Sequence, residues 1–272
     1  MGKTIAICNQ KGGVTKTTSC LNLGVGLARE GRKVLLVDAD PQNDLTTALG
    51  WEADSLDHSL GSLMYLVTQD HKPAVHDVIL HHEEGVDLIP SNLDLSSMES
   101  QLVNAMSREK VMDNVLKEVR NDYDYILIDC MPSLGMITIN ALTAADEVII
   151  PVQAQYLPTK GMTHLMKSIN MVRNHTNEDL KVTGIVMTLV DGRTNLAREV
   201  IDTIRSKYGM HIRIFDTQIP IAVKAAEASK AGMSIFAYDA RSKPALAYEQ
   251  LTKEVMRFVE REKQRNETAI IR

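Results

Sequence analysis

Cysteine is scarce in this 272-residue chain: only Cys8, Cys20 and Cys130 occur. Cys8 and Cys130 fall in apolar strand-like runs and Cys20 in a helix-compatible stretch. That placement excludes a disulfide framework and predicts packed, reduced thiols in a cytoplasmic setting. Positive charge is not in excess either. The net charge of −5 excludes a basic nucleic-acid coat, so any DNA contact has to come from a local patch. No apolar run approaches the roughly 18 residues that span a bilayer. No signal peptide is evident, because Met1-Gly2-Lys3 runs straight into an apolar strand. Internal repeats, low-complexity tracts and long linkers are missing as well.

The remaining composition, 44% hydrophobic and 24% charged, is that of an ordinary globule. The length suits one large α/β domain or two small ones. Apolar runs at 4–8, 33–38, 86–90, 125–129, 147–151 and 182–189 predict strands, with a weaker one at 212–215. Helical periodicity fills about 16–30, 107–121, 135–145, 159–175, 193–208 and 240–264. Near-continuous apolar strands between helices predict a mostly parallel, twisted sheet flanked by helices on both faces. In such sheets ligands sit at the carboxyl ends of the strands. Three of those ends here carry polar groups: Lys11 to Thr17, Asp38 with Asp40, and Asp129.

The segment from Asn9 to Thr18, Asn-Gln-Lys-Gly-Gly-Val-Thr-Lys-Thr-Thr, joins the first strand to a helix. Strand, glycine turn, Lys-Thr and helix make a phosphate cradle. Gly12 and Gly13 let backbone amides approach an anion, and the helix N-terminus adds positive potential. Lys16 supplies a full charge for the β- and γ-phosphates of ATP, and Thr17 a hydroxyl for Mg²⁺. Mg²⁺ prefers hard oxygen ligands and keeps waters. Asp129, closing an apolar strand, suits that partnership through water, and Asp38 suits the orientation of metal-bound waters. Asp40 is the candidate to orient or deprotonate an attacking water.

Lys11-Gly12-Gly13-Val14-Thr15-Lys16-Thr17-Thr18 resembles the deviant Walker A box of the ParA/MinD ATPases. Val37 to Gln42 is similar to their second aspartate motif, and Ile126 to Asp129 to their Walker B strand. Asp129 to Gly135, Thr138 to Leu142, Pro151-Val152-Gln153 before Tyr156, Asp191 to Asn195, Ile219-Pro220, and Val223-Lys224 with Glu227-Ala228 favour the ParA, Soj-like branch. These matches span residues 3 to about 240. The resemblance implies a single-domain P-loop NTPase over 1–272, with a tail from about 262. It implies a weak, partner-stimulated ATPase using ATP and Mg²⁺, with Lys11, Lys16 and Asp40 catalytic and Val14, Thr15 and Thr18 also at the nucleotide. Lys11 would cross a dimer interface to the partner's phosphates, while Met187, Thr188 and Pro220 would line the adenine pocket. The ATP-bound homodimer would bind non-specific DNA on the nucleoid until a ParB-like centromere-binding protein stimulates hydrolysis. With its first strand at the start of the sequence, the chain is expected to be of the short kind, without an operator-binding extension.

The pattern is departed from in places. Thr15 stands where glycine is usual, Asn43-Asp44 where Gly-Asn is frequent, Met131 where proline is frequent, and Ile221 where arginine is common. DNA-contact candidates are Arg193, Lys224, Arg198 and Lys230, followed by Arg241 and Lys243, through phosphate contacts. The alternative is a MinD-like, membrane-associated positioning ATPase. It would need a C-terminal amphipathic helix, but the stripe Leu251, Val255, Phe258 and Val259 suits core packing, and the segment after it lacks an apolar anchor. An iron–sulfur reductase would need a suitably spaced second cysteine after Cys130. His71, His76, His81 and His82 lie in a polar surface region rather than a metal site. A non-enzymatic nucleotide sensor is disfavoured by the intact Asp40.

Overall fold

The computed structural model describes residues 2–155 and 159–270, with Thr159 and 261–270 described by backbone alone. Its strands are β1 (Lys3–Ile7), β2 (Val34–Ala39), β3 (Leu80–His81), β4 (Val86–Ile89), β5 (Tyr125–Cys130), β6 (Glu147–Gln153), β7 (Lys181–Val190) and β8 (Ile214–Pro220). They form one sheet in the order β3-β4-β2-β5-β1-β6-β7-β8. Every neighbouring pair is parallel except β3 with β4.

Helices cover both faces. They are α1 (Lys16–Arg29), α2 (Asp44–Ala48), α3 (Leu60–Thr68), α4 (Asp94–Leu102), α5 (Val111–Lys117), α6 (Met136–Ala144), α7 (Thr159–His175), α8 (Asn195–Tyr208), α9 (Val223–Lys230), α10 (Ile235–Asp239) and α11 (Lys243–Ile270). Alternate strand residues feed two cores, as period-2 side-chain geometry requires. Ala6, Leu35, Val37, Ile126, Ile128 and Val148 pack on one face with α3 to α8. Ile5, Ile7, Leu36, Leu127 and Ile149 pack on the other with α1, α2, α10 and α11. Both faces of the central strands are thus dry, which explains their unbroken apolar character.

Several elements differ from expectation. The weak strand at 212–215 is β8 at 214–220, because Asp216, Thr217 and Gln218 hide an edge strand behind polar residues. The helix expected over 107–121 is a 3-10 turn at Arg108–Lys110 followed by α5, and Ser107 before them is left-handed at φ 49°. The short helices α2, α3, α4, α9 and α10 have no counterpart in the expected set.

The stripe on α11 is core: Leu251, Val255 and Val259 are all at most 2% exposed. Helix α11 packs closely on α1, where a Cβ at Gly26 would lie only 2.2 Å from the Thr252 hydroxyl. It also guards the sheet edge, since Glu254 accepts from the Asp216 and Thr217 amides at 3.3 and 3.2 Å. Its backbone continues through the expected tail to Ile270, while 271–272 and Tyr156 lie outside the described residues. Among the described residues no helix is long and apolar enough to cross a membrane.

Candidate nucleotide and metal site

The loop between β1 and α1 lies at the carboxyl ends of the central strands, with β5 on one side of β1 and β6 on the other. Asn9 anchors its start: the side-chain amide donates to the Pro151 carbonyl at 2.6 Å, and the side-chain oxygen accepts from the Lys11 amide at 3.0 Å. Gly13 adopts φ 71°, a left-handed turn that glycine takes without a side-chain penalty. Thr188 on β7 anchors the far side, donating its hydroxyl to the Val14 carbonyl at 3.1 Å. Helix α1 then begins with no side-chain cap and no acid in its first turn. Its leading amides and positive dipole end are therefore available to an anion.

The two loop lysines occupy different stations. Lys16 is 7% exposed and donates to the Lys11 carbonyl at 3.4 Å. Lys11 is exposed, and its ammonium donates to the Gln153 side chain at 3.1 Å, at the end of β6.

Asp38 and Asp129 are register partners on adjacent strands. Both are fully buried, and their environments diverge. Asp38 accepts from the Asp40 amide at 3.2 Å, the Thr46 amide at 2.9 Å and the Thr46 hydroxyl at 2.7 Å. It thus clamps the β2–α2 turn, a structural role beyond the metal-water role expected from sequence. Burial pushes its carboxyl up to about 7, with the Thr46 and Asp40 hydrogen bonds acting in the opposite direction.

The two carboxylate oxygens of Asp129 are buried with no hydrogen-bond partner. The Thr17 hydroxyl is near enough to favour the carboxylate, but it does not meet hydrogen-bond geometry. Burial, reinforced by the Asp38 charge, holds the Asp129 carboxyl well above the usual range, while Thr17 and Lys16 oppose the shift. An orphaned buried carboxylate beside a threonine hydroxyl fits a hard, partly hydrated divalent cation. No larger cluster of acidic, histidine or cysteine ligands occurs among the described residues.

Asp40 is 9% exposed and takes the Gln42 amide at 3.0 Å. The turn after it closes through Asn43, whose φ of 51° takes up the conformation expected of the family's glycine. Asparagine tolerates that region better than most residues. Asp44 is a site acid that sequence reasoning missed. Burial and the Asp40 charge raise its carboxyl, while Lys16 pulls it back.

Met187 is a core side chain, 1% exposed, and pairs in register with Gln218, while Pro220 pairs with Val190. Beside these strand ends lies a cavity of about 780 Å³ lined by Ala154, Gln155, Asp191, Thr194, Leu196 and Ile221, among others. Other motif residues serve the frame. Asn140 donates to the Arg108 and Met136 carbonyls and accepts from the Met112 amide. Glu99 caps α6 at the Met136 and Ile137 amides.

A family model described as an AAA domain, AAA_31, matches residues 2–182. The chain is also 42% identical over 255 residues to the sporulation initiation inhibitor protein Soj of Bacillus subtilis, across 94% of this chain and 98% of Soj. The chain belongs to the ParA/MinD family of P-loop ATPases. This ParA-family ATPase is 38% identical over 256 residues to the chromosome partitioning protein ParA of Caulobacter vibrioides, across 93% of this chain and 94% of that one. Its fold matches the crystal structure of cobyrinic acid a,c-diamide synthase from Mycobacterium smegmatis with bound ATP analogue and magnesium. There the TM-score is 0.83 and the identity 34%, across 96% of each chain.

The cation candidates of this ParA-family ATPase lie at and beyond the carboxyl ends of β7 and β8, and several have internal partners. Arg193 makes two hydrogen bonds of 2.9 Å to Asp191. Lys224 pairs with Asp239, and Arg198 donates to the Gly192 carbonyl at 3.3 Å. Lys230 is exposed on the last turn of α9.

Proposed function

We propose that this ParA-family ATPase partitions DNA, a chromosome or a plasmid. It binds ATP and Mg²⁺ at Lys11–Thr18, pairs with a second copy, and binds DNA non-specifically on the nucleoid in the cytoplasm. A ParB-like partner stimulates its weak hydrolysis and releases it. The observation that carries this reading is the division between the two loop lysines. Lys16 is inside the cradle, whereas Lys11 stands at its exposed rim, with the Gln153 side-chain amide among its partners. A phosphate oxygen is a stronger acceptor than that amide. A lysine at the rim can therefore exchange Gln153 for the nucleotide of a facing copy, where two buried polyphosphates need added positive charge.

Within each copy, Lys16 and the loop amides hold the phosphates. Thr17 and Asp129 hold Mg²⁺, which when bound supplies charge neutralisation at the phosphate oxygens. Asp40 orients the attacking water, and the adenine base occupies the recess near Thr188 and Pro220. The test is sizing with ADP and with a non-hydrolysable ATP analogue, with and without DNA. Wild type shifts from monomer to dimer with the analogue, and Lys11→Ala stays monomeric while still binding nucleotide. A wild-type chain that remains monomeric removes the switch.

DNA contact is assigned to Arg193, Lys224, Arg198 and Lys230. Lys224→Glu is expected to weaken DNA binding about tenfold at low salt, with ATP-dependent dimerisation intact. Unchanged affinity in a salt-resolved binding assay would take Lys224 out of the contact surface.

A further inference from the structure

The Thr15 side chain stands in a backbone conformation that β-branched residues rarely take, φ 65° and ψ 33°. Its hydroxyl donates to the Val14 carbonyl at 2.6 Å and lies 3.5 Å from the Ser19 hydroxyl. Ser19 in turn lies 3.2 Å from the phenol of Tyr248, a wholly buried side chain on α11. Each hydroxyl has one proton, and that of Thr15 goes to Val14. The chain therefore runs one way, with Tyr248 donating to Ser19, Ser19 to Thr15, and Thr15 to the loop carbonyl. Burial pushes the Tyr248 phenol up to about 12 despite the opposing Ser19 and Thr15 contacts, so it retains the proton it donates. The Val14 carbonyl receives a second hydroxyl, from Thr188 on β7. Two donors, one from the next residue and one from β7, thus fix the Val14 carbonyl in the loop just before Lys16.

We propose that Thr15 is a positioning residue for the phosphate loop, held by a hydroxyl chain from Tyr248 that links loop geometry to the C-terminal helix. A glycine reaches the same φ freely but offers no hydroxyl, and it leaves the loop more conformations to lose on binding. In this chain the backbone penalty at Thr15 is offset by a fixed Val14 carbonyl. The loop amides are then set before the anion arrives, and preorganisation of that kind strengthens binding. The proposal rests on the assignment of the phosphates to Lys11–Thr18.

The experiment is a double-mutant cycle on the full chain, read as the Kd of Mg·ADP by titration calorimetry. Tyr248→Phe keeps the buried ring and removes only the hydroxyl. It is expected to weaken Mg·ADP about three- to tenfold when Thr15 is present, and to have no further effect in a Thr15→Val background. Thr15→Ser, which keeps the hydroxyl, restores the sensitivity to Tyr248→Phe. A purely structural tyrosine would lower affinity equally in both backgrounds, and that result, or no loss in either, overturns the proposal. Should Tyr248→Phe fail to fold by circular dichroism, Ser19→Ala breaks the same chain at its middle and is judged by the same outcomes. A Lys16→Ala arm separates the two assignments: unchanged Mg·ADP affinity there would overturn the phosphate site itself.

Discussion

Asp129→Asn is expected to make the nucleotide-free protein more stable and the enzyme nearly inactive. In the metal-free state the Asp129 oxygens are buried without partners beside Asp38. Both carboxyls have a folded-state pKa above the ordinary 3.8, with Asp38 at about 7. Between those values the folded chain binds more protons than the unfolded one, so stability falls as pH rises. The associated stability is fully present below about pH 4 and is lost progressively through about pH 7 and above. Asparagine carries no ionisable proton and removes one of the two contributions. Melting without Mg²⁺ at pH 8 should rise by about 5 °C, with a flatter pH profile than wild type. Loss of the carboxylate that balances the cation should lower phosphate release about 100-fold. Thermal melts in chelator from pH 5 to 8, paired with a phosphate-release assay, measure both effects. A lower melting temperature at every pH would show that Asp129 is satisfied in a way its surroundings do not reveal.

Lys16→Ala carries the other large effect. The ammonium sits at the start of α1, nearly buried, with the Lys11 carbonyl as its hydrogen-bond acceptor at 3.4 Å. Alanine is a strong helix former, so α1 should begin normally, but loss of a cation that opposes the Asp129 shift should lower the nucleotide-free melting temperature at pH 8. Hydrolysis should fall about 100- to 1,000-fold, the magnitude associated with removal of one preorganised electrostatic group. Nucleotide binding should weaken as well, in contrast to Lys11→Ala, which keeps it. Single-turnover hydrolysis together with calorimetric titration distinguishes these cases. Full activity in Lys16→Ala would place the phosphates elsewhere.

The central strands and the aspartates near the ends of two of them, Asp38 and Asp129, were legible from sequence for one reason: both are local. A run such as Ile126-Leu127-Ile128-Asp129 states its burial and its terminal chemistry within four residues. The polar part of edge strand β8, from Asp216 onward, and the short helices between Asp44 and Leu102 were not legible, because tertiary packing decides them. The partners that set the site were hidden for the same reason. Thr46 reaches Asp38 across eight positions, Gln153 reaches Lys11 across 142, and Tyr248 reaches Ser19 across 229. Asn43 could be read as a replacement for glycine, since its conformational tolerance is intrinsic. Thr15 could not, because its justification lies on another helix.

The two margins of the sheet bear on how copies of this chain can meet. An open strand edge is a template on which another chain can continue the ladder. Here the margin at β3 is only two residues long. At β8, the Glu254 carboxylate occupies amides that an incoming strand would need. Sideways growth into a shared sheet is therefore disfavoured, by a short strand at one margin and by amides already engaged at the other. The pairing proposed through Lys11 would instead use the rim where the strands finish, where a contact can be made and dissolved without touching the cores.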